Sequence, residues 1–289
     1  MQQLNKLYEK WLTETNKGHY KDGSNIPNDV LSQFGNQDFV VQELEKLFGF
    51  YNIKMQGNIL DIGCSVGGFM YSLYNSKKFD FIAGIDIDTT AVKMAKEYKK
   101  MNNISDEELF VDTGSIYELP FEDNKFDFII MKDVGEHLEN KENLEIAMVE
   151  LKRVLKDDGH IFIETPNYIF PMEVHLKIPM LPFVSTKSSV KFIAKLFKKD
   201  PDFVNHLNFT TPKMFETIFK NNDLKFKNAY EEYKLPYIIK NSENLSGRFK
   251  FIGGLFKVLN KIGLNSFIVW VFKVTKMHPS LWYIVGKNK

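Results

Sequence analysis

An α/β fold, with a mostly parallel sheet and helices on both faces, is what this sequence predicts. Three observations carry the prediction. Residues 58–69, Asn58-Ile59-Leu60-Asp61-Ile62-Gly63-Cys64-Ser65-Val66-Gly67-Gly68-Phe69, read as a short buried strand over 59–62, a glycine-rich turn, and a helix from about Gly67. A second apolar run over 81–86 also ends on an acidic residue, Asp86, about 25 positions after Asp61. The alternation then continues, with strands over 109–112, 125–130 and 160–165 and a helix over 141–155. Parallel strands are covered on both faces, so they read as unbroken apolar runs.

The elements follow in order. Residues 1–16 space Leu4, Leu7, Tyr8, Trp11 and Leu12 as one face of a helix, and 18–27 are a polar loop. A second helix over 38–51 packs Val40, Val41, Leu44, Leu47 and Phe48. Asp88, followed by two threonines, is an N-cap for a helix over 91–100. The helix over 141–155 turns Leu144, Met148, Leu151 and Leu155 inward, and Gly159 ends it. His160 then starts a strand and reads as structural. Prolines 166, 171, 179 and 182 break the pattern over 166–202 and predict an ordered insertion without long elements, apart from a lysine-rich helix over 188–199. A helix over 211–221, a strand-like run over 224–233 and a last strand over 281–285 complete the chain.

Glycines between strand and helix let backbone N–H groups approach a ligand, and the helix N-terminus favours negative charge. A carboxylate about 20 residues after such a loop suits ribose hydroxyls. These residues resemble the class I S-adenosylmethionine-dependent methyltransferases. Asp61-x-Gly63-x-Ser65-x-Gly67 is similar to their first motif, with Ser65 in place of the middle glycine, and Gly84-Ile85-Asp86 to their second. Gly114 to Phe121, then Lys125-Phe126-Asp127-Phe128-Ile129-Ile130, resemble the third motif and fourth strand. Val134-Gly135-Glu136-His137-Leu138 matches the segment after that strand, and two stretches, 151–159 and 161–167, match the next helix and strand. The resemblance runs continuously over about 44–167 and implies a Rossmann-like, seven-stranded, mostly parallel sheet.

It also implies roles. The backbone of Gly63, Ser65 and Gly67 would hold the methionine part of S-adenosylmethionine, Asp61 its ammonium, and Asp86 both ribose hydroxyls. Ile87 and Ile116 would sandwich the adenine, with Ser115 in the position that accepts from its amino group. His137 would take the acceptor's proton, beside Glu136 and Asp133. Asp133-x-x-Glu136-His137, with the later His206, further resembles the metal constellation of ubiquinone-pathway O-methyltransferases and small-RNA 3′-end methyltransferases, so a divalent ion on those four is an open alternative. Insertions after the fifth strand lie over the reaction centre in this fold, which makes Asn167, Tyr168, Glu173 and His175 substrate-side candidates.

The domain reading is a helical cap over 1–52, the cofactor-binding core over 53–167, a substrate-side insertion over 168–205, and the rest of the fold over 206–289. That last part contains an amphipathic, basic and apolar insertion over about 240–277. Its composition fits contact with a membrane surface or the cover of an apolar pocket. Helical packing or a dimer interface fits it too. No apolar run approaches the ~18 residues a spanning helix needs. With 38 basic and 37 acidic side chains the net charge is +1, and no nucleic-acid partner is expected. Cys64 is the single cysteine, which excludes an internal disulfide framework and fits a cytoplasmic compartment; inside the loop it reads as a small residue rather than a nucleophile. No signal peptide is expected. The functional expectation is O-methyl transfer to a small, lipid-linked or glycan-type acceptor, at or near the inner membrane face. A silent cofactor-binding scaffold is the alternative. A nicotinamide dehydrogenase is disfavoured, because its loop requires the missing middle glycine.

Overall fold

The computed structural model describes residues 37–181, 186–241 and 263–288. The helix expected over 1–16, with Tyr8 and Trp11, Tyr20 after it, and most of the amphipathic segment lie outside these.

Seven strands form one sheet in the order β3-β2-β1-β4-β5-β9-β8. They are β1 (Gly57–Ile62), β2 (Phe79–Asp86), β3 (Leu109–Thr113), β4 (Phe126–Lys132), β5 (Leu155–Pro166), β8 (Leu224–Asn228) and β9 (Ser280–Lys287). The first five are mutually parallel, and β9 runs antiparallel to both β5 and β8. Helices α1 (Asp38–Phe50), α2 (Gly68–Ser76) and α3 (Thr89–Met101) cover one face; α4 (Lys141–Val154) and α6 (Pro212–Asn221) cover the other. Side chains alternate across a strand. Ile59 and Ile82 therefore enter the first layer, while Leu60, Ile62, Ala83 and Ile85 enter the second.

The cap expected at Asp88 is present: Asp88 accepts from the Thr90 and Ala91 N–H groups. Thr211, expected inside the helix over 211–221, is instead the cap of α6 and accepts from the Met214 N–H, with Pro212 in the first turn. One boundary differs. Helix α4 stops at Val154 and β5 begins at Leu155, so Gly159 is a strand residue rather than a helix cap. Leu155 pairs with Phe126 and His160 with Phe128, so the segment between them bulges out of the ladder. A Cβ on Gly159 would stand 2.8 Å from Leu155 Cδ1 and 3.0 Å from the Phe126 carbonyl oxygen, so packing, not helix termination, requires glycine there. His160 packs between Phe48 and Phe128, and burial lowers its pKa.

The run expected as a strand over 224–233 leaves the sheet after Asn228. A π-helical turn (Tyr230–Lys234) and helix α7 (Leu235–Lys240) follow. Tyr230 stacks on His278 at 4.5 Å, and Glu231 pairs with Lys276 at 2.7 Å, which draws this segment onto the face of the sheet. The insertion after β5 holds more than loop. A two-stranded hairpin, β6 (Met172–Glu173) with β7 (Ile178–Pro179), and helix α5 (Lys187–Leu196) enclose a small core of Tyr168, Leu176, Ile178, Met180, Val190, Ala194, Val204 and Leu207. Helix α8 (Asn265–Thr275) precedes β9. Among the described residues no helix is long and apolar enough to cross a membrane.

Candidate methyl-donor and acceptor site

Strand order reverses between β1 and β4, and ligands of open α/β sheets bind outside the carboxyl ends at such a point. The glycine loop lies there. Gly63, Ser65 and Gly67 all have positive φ, at +77°, +48° and +86°. Ser65 thus adopts a left-handed conformation that costs an L-residue about 1–2 kcal/mol. Its N–H donates to Asp86 Oδ2 at 2.7 Å, a charge-assisted bond that offsets this cost. Asp86 Oδ1 accepts from the Asp88 N–H at 2.8 Å. The Gly63 N–H reaches the Ile85 carbonyl at 2.8 Å. The end of β2 therefore holds the loop after β1 in shape.

Space as well as φ requires the glycines. A Cβ on Gly63 would stand 2.5 Å from Val134 Cγ2, and one on Gly84 would stand 1.9 Å from Met70 Sδ. Sequence reasoning took Gly84 only as part of a motif. It is the point where helix α2 rests on β2, directly opposite Asp61 in the register.

Alternation puts Asp61 and Asp86 on the same face of the sheet. Burial raises the Asp61 pKa well above the usual carboxylate range, and the nearby Asp86 raises it further; burial also raises Asp86. A buried carboxylate and a half-buried one, with no side-chain cation paired to either among the described residues, fit a positively charged ligand. The sulfonium and ammonium of S-adenosylmethionine meet that requirement. Burial, then Asp61 and Asp86, push the Cys64 thiol well up, which holds it protonated and removes it as a nucleophile. Ile87 is 81% exposed and presents an open apolar surface, whereas Ile116 is buried against the α4 layer. The Ser115 hydroxyl accepts from the Tyr117 N–H at 3.2 Å, beside Gly114, whose N–H donates to the Asp86 carbonyl.

A second group of polar residues stands at the end of β4. Asp133 has φ +54° and pairs at 2.7 Å with Lys132, which also reaches Glu164 at 3.1 Å. A single 3₁₀ turn (Gly135–His137) follows. Glu136 is 0% exposed; its Oε2 accepts from Thr165 Oγ1 at 2.7 Å, while Oε1 has no hydrogen-bond partner among the described residues. Burial, then Asp133, raise the Glu136 pKa to about 7. His137 is exposed, with its ring 5.8 Å from that of His175.

His175 comes from the β6–β7 hairpin. Its Nδ1 lies 2.7 Å from Glu173 Oε1, and its Nε2 lies 3.9 Å from Glu136 Oε1. Glu173, itself buried, also accepts from the His175 and Leu176 N–H groups. Burial lowers the His175 pKa, but Glu173, Glu136 and Asp133 outweigh it and the net shift is upward. Glu136, His137 and His175 offer ligand atoms within 4.8 Å of one another. Asp133 and His206 do not belong to that group; His206, itself exposed, ends a 3₁₀ turn (Asp202–His206). Of the other insertion candidates, Asn167 is structural, its Nδ2 donating to the Lys276 and His278 carbonyls at 2.7 Å each. Tyr168 stacks on Phe209 at 4.6 Å with its hydroxyl buried and unpaired.

A "Methyltransferase domain" family model matches residues 60–163. Over those residues the chain is similar to the class I S-adenosylmethionine-dependent methyltransferases. Among curated relatives, norajmaline N-methyltransferase from Rauvolfia serpentina is 27% identical over 46% of this chain and 47% of its own length. Tocopherol O-methyltransferase from Arabidopsis thaliana is 27% identical over 54% and 44%. An uncharacterized protein, MJ0638, from Methanocaldococcus jannaschii is 24% identical over 76% and 95%. The chain thus spans about half the length of the named methyltransferases it matches. In fold it is similar to Haemonchus contortus phosphoethanolamine N-methyltransferase 2 solved with S-adenosyl-L-methionine, with TM-score 0.51 and 17% identity over 86% of this chain and 52% of that one.

Proposed function

We propose that this chain transfers a methyl group from S-adenosylmethionine to a hydroxyl of a small, lipid-linked or glycan-type acceptor. The observation that carries the reading is the shared face of Asp61 and Asp86, with the loop N–H of Ser65 bound to the second carboxylate. Bound S-adenosylmethionine supplies an electrophilic methyl group on a sulfonium. The chain's own residues do the rest. Asp61 takes the ligand's positive charge in a site that excludes water, where a charge interaction is strongest. Asp86, already fixed by two N–H donors, keeps free lone pairs for ribose hydroxyls. Ile87 offers the apolar face for the adenine.

Val134, whose side chain lies against Gly63, directly precedes the turn that carries Glu136 and His137, which brings the loop and this pair to the same end of the sheet. An acceptor hydroxyl there gives its proton to this pair; Glu136, with a pKa of about 7 and an oxygen without a donor, suits the task. The lipid-linked part rests on helix α8, which exposes Phe267, Trp270 and Val274 along one side next to Lys273, and on α5, which exposes Phe192 and Leu196 beside Lys191 and Lys195. Apolar faces rimmed by lysine suit an anionic lipid surface.

Calorimetry with S-adenosylhomocysteine tests the donor half. Wild type should bind and Asp86→Ala should not; equal binding by both would refute the placement of the ribose. Labelled methyl transfer into a cell extract tests activity, and flotation with anionic liposomes tests the lipid surface.

A further inference from the structure

We propose that Glu136, His137 and His175 hold a divalent transition-metal ion, with Glu173 fixing His175 and neither Asp133 nor His206 taking part. The proposal rests on the methyltransferase reading and changes how the acceptor is activated. It departs from the ligand set that motif resemblance implies. That set draws its acid from the end of β4 and its second histidine from 206; the geometry draws the second histidine from the hairpin at 172–179.

Three observations support it. The atoms the three side chains offer lie within 4.8 Å of one another, with His175 Nε2 already 3.9 Å from Glu136 Oε1. Four ligands held at about 2.1 Å around zinc stand about 3.4 Å apart, so closure needs only side-chain rotation of roughly 1 Å. Glu136 Oε1 is buried and lacks any donor, a condition that costs stability unless a cation or proton satisfies it. Lys132, at the end of β4, is engaged with Asp133 and Glu164 instead. Finally, Glu173 contacts the far ring nitrogen of His175 at 2.7 Å and thereby directs Nε2 toward Glu136. A carboxylate behind a ligating histidine is the usual outer support of a metal site.

Two imidazoles and one carboxylate suit zinc, manganese, iron(II) or cobalt better than magnesium. Such a cation would supply Lewis acidity to an acceptor hydroxyl. Asp133, 55% exposed in its side chain, contributes only distant negative charge. Asp133 and Glu173 add negative charge beside the cluster, Lys132 offsets part of that of Asp133, and the buried Tyr168 phenol stays neutral.

The test uses full-length protein stripped with chelator, dialysed, and titrated with Co²⁺ while its visible absorption is followed. Wild type should take up one Co²⁺. Glu136→Gln and His175→Ala should lose it, Glu173→Gln should weaken it by about 10–100-fold, and His206→Ala should leave it unchanged. S-adenosylhomocysteine binding, measured on every variant, shows whether each is folded. A wild type that binds S-adenosylhomocysteine but no Co²⁺ overturns the metal site and leaves the methyltransferase reading standing. Co²⁺ binding that survives His175→Ala but not His206→Ala overturns it in favour of the motif's own histidine. A wild type that binds no S-adenosylhomocysteine ends the underlying reading and this inference with it.

Discussion

The glycine loop and the Glu136 cluster are both built from acidic groups at the carboxyl ends of strands, yet they are assembled differently. In the first, Asp86 and Ser65 are 21 residues apart and meet through one crossover. Each contact is local to a strand–turn–helix unit, and glycine spacing announces it. In the second, Glu136 meets Thr165 from the next strand and His175 from a hairpin that no regular pattern foretells. The loop is held by backbone N–H groups, which any residue provides. The cluster is joined to the β4 end through side chains, so its composition depends on which segment happens to cover it.

The largest effect expected from breaking the first region is that of Asp86→Ala. It removes two charge-assisted backbone anchors and the ribose acceptor, each worth about 1.5–3 kcal/mol. S-adenosylhomocysteine affinity should fall by at least ~100-fold in calorimetry. Gly84→Ala comes next. The new methyl would meet Met70 Sδ and Cys64 Cβ, and overpacking of this kind costs about 1–3 kcal/mol. Gly49→Ala, with nothing within 4 Å, should instead stabilise α1 by about 0.5–1 kcal/mol. Denaturant midpoints for the two variants should move in opposite directions.

In the second region, Thr165→Val removes the hydroxyl that donates to Glu136 Oε2. It should cost about 1–3 kcal/mol, the penalty for leaving a buried acceptor unpaired. An equal cost for Thr217→Val, whose hydroxyl bonds its own helix at an exposed position, would erase the distinction. Asp61→Asn has the smallest effect on folding and the opposite sign. The folded-state pKa of Asp61 is raised, so its charged form is penalised in the native state. Wild type therefore loses stability as pH rises through that pKa. The Asn variant should have a higher Tm at neutral pH, converge with wild type in acid, and bind S-adenosylhomocysteine more weakly. A lower Tm at neutral pH would contradict the burial argument.

Much of the first region was legible in the sequence. The strands at Ile59 and Phe81, the Asp88 cap and the glycine loop follow from local apolar runs and turn chemistry. The role of Asp86 as an anchor of Ser65 was not legible, because a motif shows that an acid is present but not which donors it meets. The break after Asn228 was missed since Tyr230 and Glu231 are drawn off the sheet by His278 and Lys276, some 45 residues later. His175 stood among several candidates in a proline-broken insertion, and spacing gave no reason to prefer it to His206.

By itself the sequence determined the alternation of buried strands with capped helices, because burial on both faces and the first turn of a helix are local requirements. It also determined that two acids end neighbouring strands. Only the tertiary structure decided that these acids share a face, that Gly84 carries the weight of α2, and that a hairpin histidine lies against Glu136. Those are distances between side chains, and they are set by register and packing across segments the chain brings together only once folded.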